Sequence, residues 1–205
     1  MMHTLVRAPA GPAELAADAL RVLALLGIVI AAIGWGAVAG WSLALVAGGM
    51  VVPRLLGVRP SVDIAFGVVM LVAVWSSVLD IYLSTRWWDL PVHFLANGLC
   101  AAVAYILLVR LAVVADAASL PRPVLSTVVV TTAVGVTLGV LWEIFEWIGH
   151  TFIDEGIFVG YTDSIGDLFW GGLGAVLAGC SMRYLAAQPQ RDHGAGRVIA
   201  GGPRP

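Results

Sequence analysis

The sequence predicts an all-α integral membrane protein with about six transmembrane helices and both termini in the cytoplasm. Three observations predict it. Only 12% of the 205 residues are charged and 60% are hydrophobic, whereas an ordinary soluble domain is about a quarter charged. The apolar residues gather in six segments, at about 15–36, 39–57, 62–84, 91–114, 123–149 and 164–186. Most approach the ~20 residues that cross a ~30 Å hydrocarbon core. Finally, the arginines fall almost entirely on one side of the path that six alternating crossings trace.

Taken in order, residues 1–14 carry several Pro and Gly positions and read as a flexible lead, 15–186 as a single six-helix domain, and 187–205 as a disordered, Arg/Gly/Pro-rich cytoplasmic tail. The first two segments share a glycine-rich joint from Gly34 to Trp41 with almost no loop. A tight helical hairpin is expected there. The alternatives are one tilted span, or a cleaved leader ending at Ala37-Val38-Ala39. Gly36-x-x-x-Gly40 and Gly135-x-x-x-Gly139 have the spacing that lets helices pack closely. Cys100 and Cys180 lie inside apolar runs with no Cys or His at ligand spacing, so both are expected to be small buried hydrophobes.

Orientation follows from charge. With six spans, Arg7, Arg21, Arg54, Arg59, Arg110, Arg122, Arg183, Arg191, Arg197 and Arg204 share one side and Arg86 stands alone on the other. The positive-inside rule makes the crowded side cytoplasmic. All basic residues being arginine, in an Ala/Gly/Val-rich chain, fits a bacterial, GC-rich coding bias and hence a bacterial inner membrane. A net charge of −2 argues against nucleic-acid binding, which requires a basic face.

The opposite side is acidic, and three pairs stand out: Asp89 with His93, Glu143 with Glu146, and Asp163 with Asp167. Spacings of three and four residues put both members of a pair on one helix face. Each pair lies near the same membrane boundary, and Asp80, near the end of the third segment, is close enough in sequence to join them. Ionised carboxylates crowded at a bilayer edge repel one another and are costly to desolvate. They can persist if a cation neutralises them, if some are protonated, or if they face water separately. Carboxylates with one imidazole suit Zn²⁺, Fe²⁺ or Mn²⁺, and six such side chains are enough for one or two ions.

Blander roles stay open beside this one. Asp89 and Asp163 (or Ser164) are candidate N-caps, with Pro91 in the first turn of the fourth span. His93 is a candidate for an interhelical hydrogen bond, and Arg86 for an ion pair with Asp80 or Asp89. The Trp residues at 87, 88, 142, 147 and 170 read as an interfacial belt. Between the last two spans, about fourteen residues hold His150, Asp154, Glu155, Gly156 and Gly160, a segment long enough to act as a lid. No nucleophile elbow, phosphate-cradling loop or His-Glu-x-x-His motif is present.

The pattern Arg86-x-x-Asp89-x-x-x-His93, then Glu143-x-x-Glu146-Trp147, then Asp163-x-x-x-Asp167 resembles the YjdF-like family of bacterial inner-membrane proteins, over roughly residues 62–186. The resemblance implies a six-helix-type integral membrane protein and groups these residues together, but it implies no reaction. The expected function is therefore metal binding at an extracytoplasmic carboxylate/His cluster, extending to metal-dependent hydrolysis of a lipid or envelope substrate. Ion- or proton-coupled transport, and service as an accessory subunit of a larger membrane complex, are the alternatives.

Overall fold

A computed structural model of the chain describes residues 8–186. The start of the expected lead, 1–7, and the expected tail, 187–205, lie outside the described residues. The described residues form helices joined by short turns, with no strand among them. In order these are α1 (Pro12–Trp35), α2 (Ala37–Gly49), α3 (Val51–Leu56), α4 (Pro60–Val78), α5 (Ile81–Ser84), a 3-10 turn at Arg86–Trp88, α6 (Asp89–Arg110), a second 3-10 turn at Ala117–Ser119, α7 (Pro123–Phe152), α8 (Tyr161–Cys180) and α9 (Met182–Leu185).

Five stretches are long and apolar enough to cross a membrane: Pro12–Trp35, Ala37–Leu56, Pro60–Val78, Arg86–Arg110 and Pro123–Phe152. At 1.5 Å per residue, the 24 residues of α1 span about 36 Å and the 30 residues of α7 about 45 Å. The sixth expected span, α8, carries Asp163 and Asp167 and is less apolar for it. It nonetheless runs along α7. Leu168 sits against Gly139 and Gly179 against Val128, a separation of eleven residues on both antiparallel helices.

The expected hairpin forms. Gly36 takes φ +95°, open to glycine and strained for other residues, and turns the chain with no loop. Gly40 lets α2 close onto α1, since a Cβ there would stand 2.8 Å from the Cβ of Ala32. Gly36 is thus the joint and only Gly40 the contact. Boundaries shift elsewhere. Helix α1 begins at Pro12, inside the expected lead, because proline suits a first helical turn. The third apolar segment stops being one helix at Val78: Asp80 adopts left-handed backbone (φ 55°), which aspartate tolerates better than most residues. Cys180 is exposed on α8 rather than buried, and Cys100 is half-buried.

Two units result. Helices α6, α7 and α8 pack tightly on one another, and α1, α2 and α4 pack as a second group that meets α6 through α4. One apolar core joins Met50, Leu56 and Phe66 to Tyr105, Ile106, Ala178 and Met182 across both units. A smaller one, Ala31, Leu43 and Val74, fills the hairpin side. Large apolar side chains elsewhere point outward, such as Leu26, Ile30 and Val129, the surface expected of a chain solvated by lipid.

The arginine-bearing end holds a charged network with no counterpart among the sequence expectations. Arg21 pairs with Asp63 and with Asp18 (2.9 Å), while Arg54 reaches Asp18 (3.2 Å) and Glu14 (3.4 Å). The Arg21 Nε also donates to the Met50 carbonyl at 2.9 Å. Arg54 and Asp63 are buried. The network ties α1, α3 and α4 together at the end opposite Gly36.

Candidate functional site

The site is built where the chain returns to the Gly36 end. Trp88 donates its indole N–H to the buried Ser76 hydroxyl at 3.0 Å, which fixes the 3-10 turn against the end of α4. Helix α6 then begins at Asp89 itself. Trp88 is the N-cap and no side chain caps the helix, so Asp89 is not the cap that its place before Pro91 suggested. Its carboxylate turns along the helix instead, and Asp89 Oδ1 lies 3.3 Å from His93 Nε2, one turn on. The same holds on α8: Gly160 is the N-cap, so neither Asp163 nor Ser164 fills that role.

Asp167, only 4% exposed, points from α8 at the same imidazole, with Oδ2 3.8 Å from His93 Nε2. One ligand atom each from Asp89, His93 and Asp167 falls within 4.8 Å of the others. Two helices must approach closely for this, and glycines permit it. A Cβ on Gly98 would stand 2.8 Å from the Gly174 carbonyl oxygen, and one on Gly171 would stand 2.9 Å from Asn97 Nδ2. Asn97 in turn donates to the Gly135 carbonyl of α7 at 3.1 Å, locking the third helix to the other two.

Glu143, Glu146 and Asp163 surround this triad. Glu146 is half-buried and within electrostatic range of Glu143, His93, Asp89 and Asp163. Asp163 interacts with Asp89, Glu143, His93 and Arg86. Glu143 and Glu146 stand about 30–35 Å along α7 from its start, a length close to the ~30 Å thickness of a hydrocarbon layer.

Other sequence candidates fall outside. Asp80 is exposed in its turn and makes no ion pair among the described residues. Arg86 is exposed and pairs with neither Asp80 nor Asp89; it faces Asp163 at longer range. Trp147 is 51% exposed, its ring edge-on to Phe152 at 6.0 Å, turned away from the triad. The expected fourteen-residue lid is shorter, because α7 runs on to Phe152 and takes His150 with it. His150 Nδ1 lies 2.6 Å from the Ile157 carbonyl oxygen, which folds the remaining loop back on the helix end.

Tyr82 was not evident from sequence. It lies on α5, donates its hydroxyl to the Ala73 carbonyl at 3.0 Å, and is within electrostatic range of Asp89, Glu146 and Asp167. Burial, reinforced by the Asp89 charge, pushes its phenol well above the ordinary range. The one available sign was a hydroxyl two residues after Asp80, where an unbroken helix was expected.

Fold and site together define a polytopic helical membrane protein with an Asp/His group at one end of its bundle. Residues 18–188 match the family described as predicted membrane protein (DUF2238), and the chain belongs to that family. This is consistent with the resemblance carried by the three pairs. No curated protein and no solved structure gave a significant match.

Proposed function

We propose that this protein binds a divalent cation at Asp89, His93 and Asp167, at the extracytoplasmic end of a bundle in a bacterial inner membrane. The observation that supports it is the convergence of three ligand atoms from two helices within 4.8 Å. Two carboxylates and an imidazole suit Zn²⁺, Fe²⁺ or Mn²⁺. Three protein ligands also leave a coordination position open, as in catalytic rather than structural zinc sites. The convergence supports one ion, with Glu143, Glu146 and Asp163 around it as counter-charge and proton-accepting groups. A cation held there would lower the pKa of a bound water and polarise a phosphoryl or carbonyl oxygen, the chemistry of a metal-dependent hydrolase. Sidedness rests on the arginines: Arg21, Arg54, Arg59, Arg110, Arg122 and Arg183 lie at one end and Arg86 at the other.

Transport gains less support. Below the triad, Asn97 is engaged with Gly135, and α6 and α8 touch backbone to backbone at Gly98 and Gly174, so the bundle is closed there.

The test is elemental analysis of detergent-purified protein prepared without chelators, wild type beside Asp89→Ala/Asp167→Ala. About one equivalent of a transition metal in the wild type, lost in the double variant, is expected. A wild type free of metal, and unable to take up Zn²⁺, Fe²⁺ or Mn²⁺ on titration, would overturn the proposal.

A further inference from the structure

Two apolar grooves flank the start of α6. One, of about 370 Å³, is lined by Trp87, Leu90, Pro91 and Phe94 on the α6 side and by Trp170 from α8. That volume is near the lower end of small-molecule sites, ~300–1,000 Å³. The other, of about 400 Å³, lies between α4 and the 3-10 turn, with Val72, Trp75, Ile81 and Trp88 among its walls. The T-shaped pair Trp87–Trp88, 5.8 Å between rings, divides them, one ring facing each groove. Both grooves open on the outer surface of the bundle, where Trp87 is 65% exposed.

The first groove lies beside the helices that carry the candidate cation site: Leu90, which lines it, packs on Gly166 of α8. Arg86, exposed and the one arginine at this end among the described residues, stands at the head of the Trp87–Trp88 divide. The surface thus offers two chain-lined slots, a dividing wedge, and a cationic residue beside a site for a divalent ion.

We propose that the two grooves hold the two chains of a diacyl phospholipid, with its phosphate lying between Arg86 and the cation at Asp89, His93 and Asp167. The proposal rests on the cation site above and names the substrate class that site would meet. Charge complementarity makes binding cation-dependent: with five carboxylates and no metal, the cluster repels a phosphate, whereas Arg86 and a divalent ion attract it. A phospholipid fits better than a peptide, because the grooves lie at the membrane edge and their walls are apolar throughout apart from Ser76 and Thr85.

The experiment uses the full chain in lipid nanodiscs containing a trace of diazirine-tailed phosphatidylglycerol, with photolabelled residues mapped by peptide mass spectrometry and metal content measured on the same samples. Labelling is expected at Phe94 and Trp170 and at Trp75 and Ile81. Unlabelled phosphatidylglycerol should compete at about ten-fold lower concentration than diacylglycerol, a preference of ~1.4 kcal/mol. Labelling of the outward-facing Leu26 and Ile30 on α1 should respond equally to both competitors. Leu90→Trp, which fills the first groove, should abolish labelling at Phe94 and Trp170, and Trp170→Ala tests the same groove without adding bulk. Groove labelling no stronger than at Leu26, or competed equally by diacylglycerol, overturns the proposal. Metal bound without phosphate-selective labelling defeats the lipid site alone, whereas selective labelling in metal-free protein defeats the cation site and with it the cation-dependent contact.

Discussion

Gly98 on α6 and Gly174 on α8 meet backbone to backbone, with room for no side chain between them. Gly98 lies five residues, about 7.5 Å, below His93, so this contact sets the distance across which Asp167 can reach the imidazole. The close approach is a prerequisite of the site rather than a decoration of the fold.

Gly174→Ala should therefore damage both stability and site. Its new methyl would press on the Phe94 backbone, which cannot swing aside as a side-chain tip can. Overpacking of this kind costs ~1–3 kcal/mol. Gly34→Ala is the contrast, since nothing lies within 4 Å of that added Cβ and alanine is the better helix former by up to ~1 kcal/mol. Thermal unfolding in detergent should show a lowered midpoint for the first variant and an unchanged or raised one for the second. Equal midpoints would contradict the tight α6–α8 contact.

Removal of single carboxylates should sort the sequence candidates. Asp89→Asn and Asp167→Asn are each expected to weaken metal binding at least ~10-fold, the lower end of what loss of even an outer partner of a metal ligand costs. Asp80→Asn should leave it unchanged, because Asp80 is exposed in its turn and outside the converging group. Isothermal titration with Zn²⁺ or Mn²⁺ measures all three. Equal losses at Asp80 and Asp167 would mean that general negative charge, not ligation, holds the ion.

Much of this arrangement was legible in the sequence because lipid as solvent enforces a simple pattern: long apolar runs, hairpins marked by Gly, and charges confined to ends. The three pairs were visible because i, i+3 and i, i+4 spacings survive any helix packing. What the sequence does not carry is rotation about a helix axis. Trp147 follows Glu146 by one residue and so by about 100°, enough to point it at Phe152 instead of the triad. Cap assignments for Asp89 and Asp163 failed for a related reason: α6 and α8 begin one and three residues earlier than such caps require, which moves each side chain from cap to helix face. Tyr82 depends on the turn that breaks the third segment after Val78, and the Glu14–Asp18–Arg21–Arg54–Asp63 network, its i, i+3 pair Asp18–Arg21 apart, depends on contacts between helices distant in sequence, which no local spacing records.

That network predicts a stability effect at the far end of the bundle. Arg54 is 8% exposed and faces Glu14 and Asp18. Arg54→Met removes a cation from beside two carboxylates, and breaking a buried pair this way costs ~3–5 kcal/mol. The lower end is expected, because Asp18 is 31% exposed and keeps some water. Combining Arg54→Met with Glu14→Gln and Asp18→Asn should recover part of the loss. Metal content should not change in either variant, since the two clusters occupy opposite ends. A drop in metal binding with Arg54→Met, at full folding, would show the ends to be coupled.

Tyr82 gives a pH-dependent prediction of defined sign. Burial first, and the Asp89 charge second, raise its phenol above the ordinary pKa of about 10. In the unfolded chain the phenol ionises near that ordinary value, so above pH ~10 the unfolded state has released a proton that the folded state still holds. The contribution of Tyr82 is therefore fully present below pH ~10 and lost as pH rises toward the folded pKa. Unfolding midpoints measured from pH 8 to 11.5 should fall at the alkaline end in the wild type, and Tyr82→Phe should flatten that fall. At pH 8 the same variant should be less stable by about 1 kcal/mol, the net worth of a hydrogen bond such as that to Ala73. An alkaline slope identical in both proteins would place the Tyr82 phenol in water, at odds with its position between Ala73 and the Asp89 carboxylate.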